Sequence, residues 1–367
     1  VSGGASPGAV HQVVSTLEAG DAVGGEVLLL QRQLRARGFA SDIHVAHRHG
    51  REPAPVHDLD ALDAAARPAV VLYHVATASQ ATDRLVSSGL PLVVVYHNVT
   101  PAVFFWGVDM AHHDACLRAV DDLRALRSAA RLAVGHSEFS RRELEALGFE
   151  RTAAVPLLLD TDDVEDATPG ALHDDAREGA PVLLTAGRVA PNKCIEDVLR
   201  LHHALRHSGR EVRLWIAGDA SRLPRYAQAL QAMAERFGEA AQVRWLGAIS
   251  RDQLVDCYRG AALYVSMSEH EGFGGTLVEA MRAGTPVLAH DAGAVAETLG
   301  GAGALLPRDS KHIPLAAEMA ARILDDEGLR RRMARRGRRR AAELSPENAF
   351  ARLLDHLHAA GLLRAAA

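Results

Sequence analysis

The sequence predicts an α/β chain of two doubly wound domains facing across a cleft, and three observations predict it. Short apolar runs recur along the chain, helix-period stretches separate them, and the alternation is interrupted only once. Such runs between helices are what parallel strands covered on both faces require. After a Gly/Ser/Pro-rich start from Ser2 to Gly8, the candidate strands are residues 69–74 (AVVLYH), 92–96 (LVVVY) and 132–135. Beyond residue 180 they are 182–186 (VLLTA), 212–217 (VRLWIA), 243–246, 263–266 and 287–289. Apolar residues fall at helical spacing over 27–37, 116–127 and 226–237. The interruption, residues 160–179, is acidic, carries Thr168-Pro169-Gly170 and has no period, which is linker composition. This places one domain at 1–165, a linker at 166–180, a second domain at 181–345 and a helical segment at 346–367. Ligands bind at the carboxyl ends of the strands in such sheets, so the cleft is the expected site.

Composition excludes several classes. With 48% hydrophobic residues among 367 and 24% charged, the chain is neither disordered nor low in complexity. Its net charge of −5 offers no global field to recruit nucleic acid. Cys116, Cys194 and Cys257 are odd in number and far apart, so they predict no disulfide framework and favour a reducing, cytoplasmic setting. No run of about 18 apolar residues predicts a membrane span, and no basic-then-apolar leader opens the chain. Basic residues are almost all Arg, and the two lysines are Lys193 and Lys311. A chain that defaults to Arg but places Lys in a loop has a use for the smaller ammonium there.

Two constellations in the second half carry chemistry. The strand 182–186 runs into Gly187-Arg188-Val189-Ala190-Pro191-Asn192-Lys193, where two cations sit five residues apart at a strand's carboxyl end. Arg188 can grip phosphate oxygens bidentately and Lys193 can act as a point charge, although a solvated loop has the same pattern. The strand 263–266 leads into Ser268-Glu269-His270-Glu271-Gly272-Phe273-Gly274-Gly275-Thr276-Leu277-Val278-Glu279. The glycines allow a sharp turn and close backbone approach. Thr276 is expected to cap the following helix, leaving the N–H groups of Gly275, Thr276 and Leu277 aimed at an anion. Glu271 and Glu279 suit sugar and ribose hydroxyls on either side of a diphosphate. The bland alternative is a glycine-rich turn with Glu279 as a helix-dipole partner.

In their order and spacing, GRVAPNK, WIAGDA, VRWLGAIS, Tyr258, SEHEGFGGTLVEAM and GTPVLAHDAGAVAE resemble glycosyltransferase family 4 over nearly the whole second domain. The resemblance implies a GT-B fold of two Rossmann-like domains and retaining, metal-independent transfer from a nucleoside diphosphate sugar of UDP or GDP type. It implies that Arg188 and Lys193 neutralise the leaving diphosphate, Glu271 contacts the donor sugar and Glu279 the ribose. The backbone at Ala248 and Ile249 would hold the base. Gly187, Gly272, Phe273, Gly274 and Gly275 would line the donor, with the phosphate on the amides of Thr276 and Leu277. One departure stands out, because the family usually has Gly after the lysine and this chain has Cys194.

The first domain reads as the acceptor side. Gly24-Gly25 precedes a helix whose Val27, Leu30 and Leu34 share a face, with Gly38 at its C-terminal end. The pair resembles the family's first-domain glycine loop, which implies that Gly25 approaches the donor. His97 and Asn98 end the strand 92–96. By resemblance His97 lines the donor-sugar and acceptor pocket, with His74, Ser79 and Arg141 as weaker candidates. The loop Val103-Phe104-Phe105-Trp106 is expected in the core, with an acceptor-contacting rim as the alternative.

Other signals are discounted. Asp160-Thr161-Asp162 and Asp58-Leu59-Asp60 match Asp-x-Asp but sit in polar surroundings and read as solvated charge. His47/His49, His112-His113 and His202-His203 lack further ligands at metal-site spacing, so no metal is expected. The eight arginines between Arg330 and Arg340 read as a solvated helix face, with peripheral contact to an anionic membrane as the second reading. The expected function is glycosyl transfer to a hydroxyl of a glycan, lipid-linked glycan or natural-product aglycone. A nucleotide-sugar hydrolase or epimerase on the same fold, or a non-catalytic nucleotide-sugar-binding protein, remains the alternative.

Overall fold

The computed structural model describes residues 8–18, 20–62, 69–307 and 312–363. Lys311 and Ser2–Pro7 lie outside the described residues. The chain divides into two units: residues 1–102, 111–160 and 345–367 form the first, and 103–110 with 161–344 the second.

The first unit holds a seven-stranded parallel sheet. Its strands are β1 (Ala9–Val14), β2 (Ile43–Val45), β3 (His57–Asp58), β4 (Ala69–Val75), β5 (Leu92–Tyr96), β6 (Ala130–Gly135) and β7 (Thr152–Ala154), in the order β3-β2-β1-β4-β5-β6-β7. Alternation along β5 shows why the apolar runs are continuous. Leu92, Val94 and Tyr96 face Leu123 and Leu126 of the helix Met110–Leu126, while Val93 and Val95 face Leu30 and Leu34 of the helix Ala22–Ala36. Both faces are covered, so both parities must be apolar. The helix Pro346–Ala359 completes the second face by burying Phe350, Leu353 and Leu357, so the end of the chain packs with the first unit.

Central strand β1 escaped the sequence pattern because His11 and Gln12 interrupt it. Both are buried and bonded: His11 Nδ1 accepts from the Asp42 N–H at 3.2 Å, and Gln12 Nε2 donates to the Val27 carbonyl at 2.9 Å. The strands β2, β3 and β7 have two or three residues, too few for a period to register.

The second unit holds a six-stranded parallel sheet. Its strands are β8 (Val182–Ala186), β9 (Arg213–Ala217), β10 (Val243–Gly247), β11 (Leu263–Ser266), β12 (Val287–His290) and β13 (Ala304–Leu306), in the order β10-β9-β8-β11-β12-β13. The stretch expected to be a structureless linker carries the helices Asp162–Asp166 and Ala171–Arg177. It is strapped to the helix Arg251–Gly260: the Gly170 N–H donates to Asp256 Oδ1 at 2.9 Å, Arg259 donates to the Ala167 carbonyl, and Arg251 pairs with Asp163. Acidic composition here reflects pairing with arginines, which a local pattern does not reveal.

The arginine stretch lies in the helix Glu327–Glu343, and three of its guanidiniums cap the ends of other helices. Arg338 donates to the Ala283 carbonyl, Arg340 to those of Glu297 and Thr298, and Arg330 to those of Ile323 and Leu324. Terminal carbonyls lack intrahelical donors, so cations there complete the helices. No helix among the described residues is long and apolar enough to cross a membrane.

Candidate functional site

At the carboxyl ends of β8 and β11 the two predicted loops are bonded to each other. The Asn192 carbonyl accepts from the Glu269 N–H at 2.9 Å and from Ser268 Oγ at 3.0 Å, while Asn192 Nδ2 donates to the His270 carbonyl at 3.5 Å. That frame sets Lys193 Nζ 2.6 Å from Glu271 Oε1, with the lysine partly exposed and the carboxylate nearly buried. Arg188 is exposed and makes no hydrogen bond or ion pair among the described residues. Pairing of Lys193 with Glu271 was not anticipated. It keeps a lone ammonium in place while Arg188 stays available to a ligand. Cys194 occupies the left-handed region, φ 49° and ψ 50°, a conformation that strains a residue with a Cβ and that Gly adopts freely. At Gly187, φ 129°, an added Cβ would reach within 4.0 Å of the Lys193 side chain.

The helix after the glycine loop runs Gly275–Ala283, and its cap is Gly274, in the left-handed conformation at φ 90°. Thr276 is therefore the second helical residue rather than the cap. The Leu277 N–H is already bonded to the Gly274 carbonyl at 3.0 Å, which removes it from the expected anion site. The N–H groups of Gly275 and Thr276 remain without protein partners among the described residues. Phe273 is buried, and its carbonyl accepts from Thr298 Oγ1, which anchors the loop beside Gly272.

Glu279 sits in the second turn, away from the helix tip. Tyr258 donates to its Oε2 at 2.8 Å and Arg251 pairs with its Oε1, while the same guanidinium holds Asp163 at 2.7 and 2.9 Å. Each carboxylate oxygen keeps a further lone pair, so hydroxyls can still be accepted while Arg251 offsets the charge. Ala248 and Ile249 follow β10 and lead into the Ser250 capping box that starts the helix bearing Arg251. Arg251 and Asp163 were missed by sequence reasoning. The signal was there in Arg251, one residue beyond the recognised Ala-Ile-Ser.

In the first unit, Gly24 and Gly25 lie inside the first turn of the helix Ala22–Ala36 instead of before it, and their N–H groups are bonded to Asp21 Oδ1 and the Asp21 carbonyl. Neither amide is free for a phosphate. Gly24 is required by packing, since a Cβ there would sit 2.1 Å from the Glu18 carbonyl, whereas Gly25 is exposed with open space around it. Arg141 is held within its own helix by Glu138 at 2.7 Å and by Glu145, and Ser79 Oγ accepts from the Ala81 N–H at a helix start. Both act locally. The aromatic loop is split: Phe105 is buried, Phe104 faces the His270 ring, and Val103 and Trp106 are 72% and 67% exposed.

His97 and His74 do come together, with His74 Nδ1 2.9 Å from His97 Nε2. Asn98, at φ 58°, turns the other way and donates to Glu143, which also accepts from Tyr96 at 3.3 Å. Burial lifts the Glu143 carboxyl to about 7 against those two hydrogen bonds. Its folded value lies above the unfolded one, so its contribution to stability is complete below about pH 4.5 and is lost as pH rises to about 7. Glu143→Gln should therefore raise stability by about 1–2 kcal/mol at pH 8, discounted for partial exposure, and leave it unchanged near pH 4. Thermal melts at the two pH values check this, and an equal shift at both would refute it.

Glu26, His74 and His97 also bring one ligand-type atom each within 4.8 Å of one another. Their separations are those of an ion pair and a histidine–histidine hydrogen bond, with His136 Nε2 3.3 Å from the same carboxylate oxygen. Three of the four Asp-x-Asp carboxylates are paired with arginines: Asp160 with Arg32, Asp58 with Arg48 and Asp60 with Arg84.

Residues 174–340 match the model of the family described as "Glycosyl transferases group 1". A D-inositol 3-phosphate glycosyltransferase of Xylanimonas cellulosilytica is 33% identical over 48% of this chain and 42% of its own length. A 2-deoxystreptamine glucosyltransferase of Streptomyces kanamyceticus is 29% identical over 65% of this chain and 62% of its own. The chain thus spans about half the length of the curated relatives it matches. Among solved structures, Anabaena HepE in complex with UDP-glucose superposes with a TM-score of 0.74 at 16% identity, covering 95% of this chain and 99% of that one. Sucrose-phosphate synthase from Thermosynechococcus elongatus superposes with a TM-score of 0.71 at 18% identity, covering 96% and 100%. The two Rossmann-like units are those of the GT-B fold.

Proposed function

We propose that this chain is a glycosyltransferase of family 4 that moves a hexosyl group from a nucleoside diphosphate sugar to an acceptor hydroxyl, with retention and without a metal at the diphosphate. The observation that carries the reading is the Lys193–Glu271 pair beside an unpaired Arg188, in the same unit as the free amides of Gly275 and Thr276. As the glycosidic bond breaks, negative charge builds on the diphosphate. Cations and helix amides placed beforehand stabilise that charge more in the transition state than in the ground state. Glu271 accepts from the donor sugar and Glu279 from the ribose, while His97 acts in the same transfer from the first unit. With two carboxylates committed to the donor, a glycosidase-like pair does not arise. The names of the relatives point to a cyclitol or aminocyclitol acceptor.

The test is release of nucleoside diphosphate from UDP- and GDP-sugars, with and without inositol phosphates or 2-deoxystreptamine, and NMR of the anomeric configuration of the product. Acceptor-dependent release with retention is expected. Equal release without acceptor would make it a hydrolase, and binding without release a sensor. Turnover should also be unchanged in EDTA, because Arg188, Lys193 and the helix amides occupy the place of a cation. Complete loss that magnesium restores would overturn the metal-free reading.

A further inference from the structure

Three histidines stand at the carboxyl ends of three neighbouring strands in the first unit, His74 on β4, His97 after β5 and His136 after β6, around one carboxylate. That carboxylate is Glu26, from the helix that follows β1. The exposures of the four side chains are 6% or less. Glu26 Oε1 accepts from the Leu158 N–H at 3.0 Å, and Oε2 lies 3.3 Å from His136 Nε2 and 3.4 Å from His97 Nε2.

The hydrogen bonds determine where the protons of His74 and His97 sit. Gln12 Nε2 donates to the Val27 carbonyl, so its Oε1 is the atom facing His74 Nε2 at 3.1 Å. His74 must carry its proton on Nε2, which leaves Nδ1 as an acceptor. The partner of that acceptor, His97 Nε2, must therefore carry the His97 proton, and Glu26 Oε2 lies 3.4 Å from that atom, an ion-pair separation without a hydrogen bond. On the other side of the carboxylate, His136 Nδ1 donates to the Val155 carbonyl at 3.2 Å, and Nε2 lies 3.3 Å from Glu26 Oε2 at ion-pair distance without a hydrogen bond, so the buried carboxylate favours the imidazolium form of this ring.

The geometry points to Glu26 and His136 as positioning residues: a buried ion pair that, with His74 and Gln12, locks His97 as the neutral Nε2–H tautomer and leaves its Nδ1 lone pair to accept from a substrate hydroxyl. Electrostatics agree with the proton positions. Burial drives His74 down to about 3. Burial, reinforced by the His136 charge, also holds His97 well below the ordinary histidine range. Burial opposes a charge on His136 as well, but the adjacent Glu26 carboxylate outweighs it and raises that ring. Glu26 is held below the usual carboxylate range despite its own burial, by His136 and His97. The polar groups bonded to this cluster come from β1, β4, the ends of β5 and β6, the helix Ala22–Ala36 and the segment after β7. A role for the Nδ1 lone pair in transfer rests on the function proposed above, whereas the tautomer assignment does not.

The experiment separates the two. Long-range proton–nitrogen spectra of 15N-histidine-labelled protein between pH 5.5 and 8, with His97 and His136 assigned from His97→Gln and His136→Gln, distinguish bare from protonated ring nitrogens. The expected result is a His97 that stays neutral with bare Nδ1 throughout, beside a His136 protonated on both nitrogens at pH 7. In Glu26→Gln, His136 should lose its extra proton at pH 7 and His97 should lose its single tautomer. In that variant kcat should fall about 10-fold or more while the affinities for UDP and GDP stay within about 2-fold of wild type. A His97 with protonated Nδ1, a His136 neutral at pH 7 in the wild type, or stoichiometric zinc retained after dialysis would overturn the proposal. Correct tautomers with unaltered kcat in Glu26→Gln would overturn the positioning role. An inactive wild type with correct tautomers would instead sink the assigned transfer reaction.

Discussion

Lys193→Ala should lower kcat by about 10²- to 10³-fold while changing the affinity for nucleoside diphosphate far less. Removing the ammonium deletes a charge 2.6 Å from Glu271 and leaves that nearly buried carboxylate without its cation, next to where the diphosphate would gain charge. Both consequences act on the departing group. Ground-state binding keeps Arg188 and the amides of Gly275 and Thr276. Lys193→Arg should recover only part of the loss, because a planar guanidinium fork does not reproduce a compact ammonium 2.6 Å from Glu271. The double variant Lys193→Ala with Glu271→Gln controls for the stranded carboxylate. Steady-state kinetics with separate nucleotide-binding measurements decide the matter. A rise in KM at constant kcat would show Lys193 to be a binding residue and remove it from leaving-group stabilisation.

The residues that define this loop pair were legible in the sequence because each belongs to a short contiguous motif at a strand end. Apolar runs marked β4, β5, β8 and β11, and the cations and carboxylates follow those strands directly. What stayed hidden depends on contacts across long separations. Asp163 and Arg251 are 88 residues apart and Glu26 and Leu158 are 132 apart, so no local window links them. Central strand β1 was hidden for a related reason, since its buried Gln12 is tolerated only because Val27 and His74 satisfy it. The glycine pair at 24–25 was legible as a motif but misplaced. With Asp21 as its cap the helix starts at Ala22, five residues before Val27, the first apolar position of the pattern. The arginine-rich helix shows the converse. Its composition signals an exposed charged face, yet several of its arginines serve the carbonyl ends of neighbouring helices, which a charge count cannot show.

Gly218→Ala should destabilise the second unit by about 1–3 kcal/mol or more and weaken nucleoside diphosphate binding with it. A Cβ at residue 218 would lie 1.8 Å from the Gly187 carbonyl oxygen and 2.7 Å from its carbon, and both are backbone atoms that no rotamer change can move. The neighbouring peptides are fixed: the Gly218 N–H is bonded to the Gly247 carbonyl and the Gly187 N–H to the Ala217 carbonyl, each at 2.9 Å. The methyl group can be accommodated only by shifting the peptide that leads into Arg188, so packing strain becomes displacement of a proposed phosphate ligand. Gly25→Ala provides the opposite case. Open space surrounds that residue, and replacing a helical glycine by alanine should add about 0.5–1 kcal/mol of stability. If Gly25 is kept because a ligand approaches its backbone, the variant will be more stable and less active. Thermal melts with and without UDP or GDP, alongside turnover, separate the two glycines. A Gly218→Ala protein with wild-type Tm and affinity would show that the β8 loop is far more pliable than its hydrogen bonds imply.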